Sequence, residues 1–462
     1  MGTTAIPARP SMSRRRVIAA ASSTPRVKLD ALRLSLALLI VINVSRIHQR
    51  FTILQSLRPA LVLICIAFLS ALANPRALGR WHWERQWQAR VIYGITIVTL
   101  GSIAFGISQG ASFFMFKDYF SKVLIFAFLL MAAIRSARDL WVFAWAYLIG
   151  TGLLVWMALF VFNLSVGTNG FARLDNLETW DANDICVLLE MGLGFGLLLF
   201  QVSGRKGKIV AGTICLGIGA AIARSGSRGG FIGLAILLLA YLVSMPGVSP
   251  VRRLGLVAVL IGGVAIAAPA GYLAQMETIS SVKSDYNWDA DQGRRQLAIR
   301  GMKYMMSYPV FGLGVGNFGR AEAFISDLAK QRAEMGQGLK WSAPHNSYIE
   351  AGSELGIPGF LLFIGLVVGC IVAPWRLRRR IPREWEAGDW EQRVMFHAAK
   401  YLPLASIGFA VPAFFVSFAF LDPIYTLAAM TAALSGLVKL RLGVRRSNRR
   451  TAMVPLPAGG AR

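Results

Sequence analysis

Of the four histidines in the chain, one has an amide and two carboxylates close behind it. It is His345, in the stretch HNSYIEAGSELGIPG. An unperturbed imidazole titrates near pH 6.5, which suits it to take or give a proton at neutral pH. Pro344 fixes the chain just before it, and Asn346 or Ser347 has the side chain to cap a helix beginning there. Glu350 and Glu354 are four residues apart, so a helix puts them on one face. They can orient the ring, stabilise its charged form, or pair with arginines from elsewhere. His82 and His397 lie among basic residues in expected loops, and His48 follows the first apolar run with no acid near it in sequence.

The second group is cationic. Arg224 and Arg228 stand in ARSGSRGGFIGL, where Gly226, Gly229 and Gly230 let a ligand or another backbone come close. Arg294, Arg295 and Arg300 follow further along. Guanidinium matches a pair of phosphate oxygens, so arginines from two separate segments read as a pyrophosphate clamp. On a helix Arg294 and Arg300 point about 120° apart, so the three cannot all face one site. The competing readings are salt bridges to Asp285, Asp289 or Asp291 and, for Arg228, snorkelling to lipid phosphates. Metal chemistry has little support: there is no HExxH, the histidines are scattered, and Asp289-Ala290-Asp291 is a DxD short enough to arise by chance. No cofactor is called for.

The elements that position these groups are membrane helices. With 55% hydrophobic and 16% charged residues among 462, the chain lies well outside the range of soluble domains, where about a quarter of residues are charged. Apolar runs near 30–46, 57–74, 91–108, 119–135, 140–163, 184–202, 208–224, 229–246, 254–273, 346–373, 400–420 and 424–440 approach the roughly 20 residues that cross a bilayer. The expected fold is therefore all-α, a polytopic integral membrane protein of about twelve transmembrane helices.

The net charge of +26 sits mostly in short loops and tails beside the apolar runs, which marks the cytoplasmic side rather than nucleic-acid binding. Every second loop is basic, so both termini are expected in the cytoplasm. Arg224 and Arg228 break that rule, and Arg228 stands at the lip of an apolar run, where an unpaired charge is costly. The four cysteines read as small core residues, with neither a disulfide nor a zinc pattern. The organisation read from these signals is a cytoplasmic tail at 1–28, nine helices over 29–273, a large periplasmic loop at 274–345, three helices over 346–440, and a basic cytoplasmic tail at 441–462. A loop that long is expected to carry structure of its own: one helix over 296–306 and an amphipathic one over 321–336, separated by a break rich in proline and glycine.

With these pieces placed, the chain resembles the O-antigen ligase and polysaccharide polymerase family of bacterial membrane glycosyltransferases. The resemblance rests on SRGGFIGL (227–234), GRRQLAIRGMKYMMSYPVFGLGVGNF (293–318) and HNSYIEAGSELGIPGFLLF (345–363), and more weakly on FARLDNLETWDANDI (171–185), at Arg173 and Asn183. It implies transfer of a saccharide from an undecaprenyl-pyrophosphate-linked donor to a sugar hydroxyl, on lipid A-core or a growing polymer, at the periplasmic face of the inner membrane and without a metal ion. Arg228, Arg294 and His345 match the family's functional residues. By that likeness the arginines hold the leaving pyrophosphate and His345 helps deprotonate the acceptor. Arg224 and Arg295 remain alternative clamp residues, and Arg300, Arg173, Asn346, Glu350 and Glu354 complete the candidate substrate-binding set. Ligase, polymerase and protein O-oligosaccharyltransferase activities stay open within the family. A lipid-linked saccharide transporter is the reading from a different class; the near absence of charge in the spans disfavours it.

Overall fold

The computed structural model describes residues 30–78, 82–166, 170–175, 179–244, 248–279, 290–291, 293–339 and 341–452, the last nine of them by backbone alone. All twelve expected segments contain a helix. They are α1 (Ala31–Ser45), α2 (Pro59–Ala73), α3 (Trp87–Phe105), α4 (Ser121–Ala133), α5 (Ala137–Phe160), α6 (Asp184–Val202), α7 (Arg205–Ser225), α8 (Arg228–Ser244) and α9 (Pro250–Ala267), then α13 (Ser347–Arg378), α14 (Trp390–Ala410) and α15 (Asp422–Ala452). Eight are long and apolar enough to cross a membrane; α1, α2 and α8 are shorter apolar helices. α4 is entered through a helical turn at Gln109–Met115 and a π-helical turn at Phe116–Phe120.

Polar side chains cap some of the helices. Ser136 and Asp139 form a reciprocal capping box at α5, and Asp389 and Gln392 form one at α14. The core is organised around α6, α14 and α15, whose apolar stretches are 89%, 83% and 89% buried, against 6% for α9. α6 and α14 approach closely because Gly194 has no side chain: a Cβ there would lie 2.4 Å from the Ala405 nitrogen. Cys186, Cys215 and Cys370 are buried in this core, and Cys65 is exposed.

The connection after α5 carries a short hairpin: β1 (Asn163–Val166) pairs antiparallel with β2 (Ala172–Asp175), with Ser165 opposite Arg173. The loop expected at 374–399 is much shorter, because α13 runs on to Arg378 and α14 starts at Trp390. His397 is consequently a buried residue inside a helix, not a loop residue.

The helix expected at 296–306 is α10 (Arg294–Ser307). The one expected over 321–336 is broken into α11 (Phe318–Phe324) and α12 (Asp327–Glu334). Ser326 makes the break: it is extended, and its hydroxyl accepts the Ala329 amide to start α12. The run expected over 400–420 also ends early: α14 stops at Ala410, a single 3-10 turn follows at Pro412–Phe414, and the apolar backbone from Phe415 to Leu421 is not helical.

Nor are the spans free of charge. Arg33 in α1 is buried against Asp139 at the start of α5, with Nε 2.8 Å from Oδ1. Glu190 lies fully buried in α6.

Candidate functional site

The site is built around the connection 411–421. A non-helical backbone inside an apolar run is tolerable only where the protein itself satisfies its amides and carbonyls, and the start of α13 does this. The His345 amide donates to Ser417 Oγ (3.1 Å). The Ser347 hydroxyl donates to the Val416 carbonyl (2.9 Å) and accepts the Phe418 amide (2.9 Å). Glu350 Oε2 accepts the Ala419 amide (2.9 Å), and the Tyr348 hydroxyl donates to the Ala410 carbonyl (2.7 Å). Asn346 is the helix cap, its Oδ1 accepting the amides of Tyr348 (3.0 Å) and Ile349 (3.1 Å). His345, just before the cap, has φ +46°, left-handed backbone that a histidine adopts at a cost.

The two carboxylates hold backbone on either side of the start of α13. Glu350 binds the connection as above, and Glu354 accepts the amides of Gly316 (2.6 Å) and Phe318 (3.0 Å). Both carboxylates thus accept backbone amides. Glu354 thereby fastens the Pro309–Asn317 turn to α13 at a local break, where Gly356 has φ +73°. The fit leaves no room for a side chain: a Cβ at Gly312 would stand 2.3 Å from the Glu354 carbonyl carbon. The glycines between Pro309 and Asn317 are therefore needed for packing.

The arginines separate into distinct fates. Arg294, at the first turn of α10, has its guanidinium 6.0 Å from the centre of the Phe415 ring and within electrostatic reach of Asp184. Arg295, the next residue, is exposed. Arg300 is engaged elsewhere: Nε lies 3.0 and 2.9 Å from the two oxygens of Glu322, and Nη2 lies 2.6 Å from Oε2. Glu322 is fully buried and also accepts the Tyr304 hydroxyl (2.9 Å). Burial, followed by the Glu322 charge, pushes the Tyr304 phenol above its usual range, so it stays a donor. Arg300 therefore ties α10 to α11. Of the expected aspartate partners, Asp291 offers Arg300 its backbone carbonyl, and its carboxylate faces Arg332. Asp285 and Asp289 lie outside the described residues.

Arg228 opens α8, and its Nη1 donates to Thr278 Oγ1 (3.0 Å). The next residue, Gly229, is packed so closely on Phe415 that a Cβ would lie 2.8 Å from the ring. The turn before it is fastened on both sides. Ser227 Oγ donates to Asn183 Oδ1 (2.7 Å), and Gln275 donates to the Gly226 carbonyl (2.9 Å). Gly226 meets β2 as well, since a Cβ there would lie 3.0 Å from the Arg173 side chain. Arg173 and Arg224 each bury an Nε with no hydrogen-bond partner among the described residues.

Phe415 thus joins the elements carrying Arg228 and Arg294, while Ser417, two residues on, holds the backbone of His345. Three motifs from distant parts of the chain meet on one short connection. The motifs pointed to His345, Arg228 and Arg294, but not to Phe415, Ser417 or Thr278. The available signal was VPAFFVSFAFLDP (411–423), where Pro412 and Ser417 interrupt a run otherwise suited to a span.

No curated protein matches the chain. Residues 211–364 match the family model described as O-antigen ligase. That stretch includes Arg224, Arg228, Arg294, Arg295, Arg300, His345, Asn346, Glu350 and Glu354, so the chain carries, in the segment that builds most of this site, the domain of the O-antigen ligase family.

Proposed function

We propose that the protein is a metal-independent membrane glycosyltransferase that moves a saccharide from an undecaprenyl-pyrophosphate-linked donor to a sugar hydroxyl at the periplasmic face, as an O-antigen ligase or a polysaccharide polymerase. The observation that carries this reading is the meeting of the Arg228 and Arg294 elements on Phe415, next to the Ser417 anchor of His345. In the proposed step the acceptor hydroxyl gives its proton to the His345 imidazole as its oxygen bonds to the donor's anomeric carbon. The bond from that carbon to the pyrophosphate oxygen breaks. Charge building on the leaving pyrophosphate is met by Arg228 and Arg294, which are already in place and need little reorganisation.

The test is whether purified protein in nanodiscs consumes an undecaprenyl-pyrophosphate saccharide, and which product carries the sugar. Sugar on a lipid acceptor that is not itself a polyprenyl pyrophosphate identifies a ligase; lengthened donor identifies a polymerase. Donor left intact with every acceptor tried would sink the reading. The face is tested separately. Lys330→Cys should react with a membrane-impermeant thiol reagent from the periplasm, because the charge alternation puts the large loop there.

One observation favours the transporter as a second reading: Glu190 lies within α6, with neither carboxylate oxygen partnered among the described residues, and buried intramembrane carboxylates often belong to transport pathways. Flipping of a fluorescent lipid-linked saccharide in proteoliposomes, abolished by Glu190→Gln, would support that reading.

A further inference from the structure

Three residues beyond Ser417, Phe420, Leu421 and Asp422 form one wall of a separate cavity of about 430 Å³. Its other walls come from α1, α2, α4 and the connection between α1 and α2. Part of the lining is apolar, with Leu39, Ile64 and Phe126; part is polar, with three cations, Arg46, Arg58 and Lys122, against two carboxylates, Asp118 and Asp422.

The backbone around it is unusual. Among the described residues four non-glycine residues have left-handed backbone, and two of them, Arg46 (φ +53°) and Arg58 (φ +45°), line this cavity. A third is His345. Such conformations cost energy and gather at ligand sites. The π-helical turn at Phe116–Phe120 supplies two more lining residues, Asp118 and Tyr119, and π turns are frequent at functional positions.

The charges are unequal. Asp422 attracts Arg46, whose guanidinium lies over Trp180 at 4.7 Å. Asp118 pairs with Lys117 (3.6 Å). Arg58 and Lys122, whose Nζ donates to the Asp118 carbonyl, give the exposed rim its excess positive charge. Burial and then the Arg46 charge lower the His48 pKa below its usual 6.5, so the ring is neutral at pH 7. Arg46 Nε and His48 Nδ1 are buried with no partner among the described residues. Beside the rim, Phe51, Ile53 and Leu57 are exposed, an arrangement suited to the bilayer interface rather than to water. A basic rim over an apolar floor at the interface fits a phosphate attached to a lipid. A free phosphate would use only half of it.

We propose that this cavity receives the second substrate: it holds the phosphate-bearing headgroup of the lipid-anchored saccharide that accepts the transferred sugar. This rests on the transferase reading, in which two lipid-borne substrates must enter from the membrane. Three residues of chain span at most about 11 Å, so Ser417 keeps His345 close to this wall.

The experiment uses the full chain in phosphatidylcholine nanodiscs with and without phosphatidic acid as the probe. Wild type should bind phosphatidic acid saturably, and inorganic phosphate should not displace it. The double variant Arg58→Gln/Lys122→Gln, both at exposed positions, should fold normally and bind it about tenfold more weakly, having lost two charge-assisted contacts. In transfer assays the same variant should raise KM for the acceptor lipid by a similar factor and leave KM for the donor unchanged. Unaltered phosphatidic acid binding in the variant, or displacement by inorganic phosphate, would overturn the proposal. So would a raised KM confined to the donor. A wild type that transfers nothing would defeat the transferase reading, while phosphatidic acid binding would still decide whether the cavity takes a phosphate-bearing lipid.

Discussion

Two polar regions adjoin the connection 411–421, and they were assembled differently. The His345 region is drawn from three short motifs in which the candidate site residues come with their own glycines, caps and turns. The Arg46 cavity has no motif. Its residues come from α1, α2, α4 and α15, and the acids near His48 that are missing from its local sequence are brought in from Asp118 and Asp422. A reader of sequence finds the first region because fold and chemistry are written in the same few residues. The second becomes visible only when helices distant along the chain are packed together.

The largest contrast between the two should come from His345. His345→Asn keeps the left-handed backbone, which asparagine tolerates, and removes the imidazole. Transfer at saturating donor should fall by roughly 10²–10⁴, the usual scale of general acid–base assistance, with the thermal melt nearly unchanged. Wild-type activity should decline on the acidic side between pH 5 and 9, where the base becomes protonated, and the variant should lack that limb. Normal transfer by His345→Asn would reduce the residue to its backbone bond with Ser417 and remove the distinction between the regions.

Arg300 sharpens the comparison from within α10. Arg300→Leu leaves Glu322 buried without its cation, so a stability loss of about 3–5 kcal/mol is expected, measured by denaturation in detergent. Arg294→Leu should instead slow transfer with little change in melting. Similar melts for the two would remove the separation of anchor from site.

At Arg228 the substitution to lysine keeps the charge but loses the fork; transfer should fall about tenfold or more. Arg295→Lys, at an exposed position, should stay near wild type. Equal effects at the two would argue against a forked contact at Arg228. The smallest effect is assigned to Ser417→Ala, which removes the acceptor of the His345 amide and should cost about 1 kcal/mol, with a modest loss of transfer and none of phosphatidic acid binding.

The apolar segments were legible because each is long, greasy and bounded by charge, and α10 because its polar face contrasts with Leu297, Gly301 and Tyr304. The connection 411–421 was not, since hydropathy does not distinguish apolar residues facing protein from those facing lipid. The partner of Arg300 was hidden for a related reason: Glu322 lies on another helix of the loop and carries no local signal. The left-handed backbone at His345 was equally hidden, because proline before a histidine does not specify it.

The bonds from Ser347 and Glu350 to the 411–421 backbone also imply an order of events during synthesis. The run from Trp390 through the start of α15 emerges after α13, so Ser347 and Glu350 are made before the backbone of residues 416–419 that they hold. A ribosome stalled shortly beyond Asp422 would hold a chain in which the His345 region and the Arg46 cavity both still lack this wall.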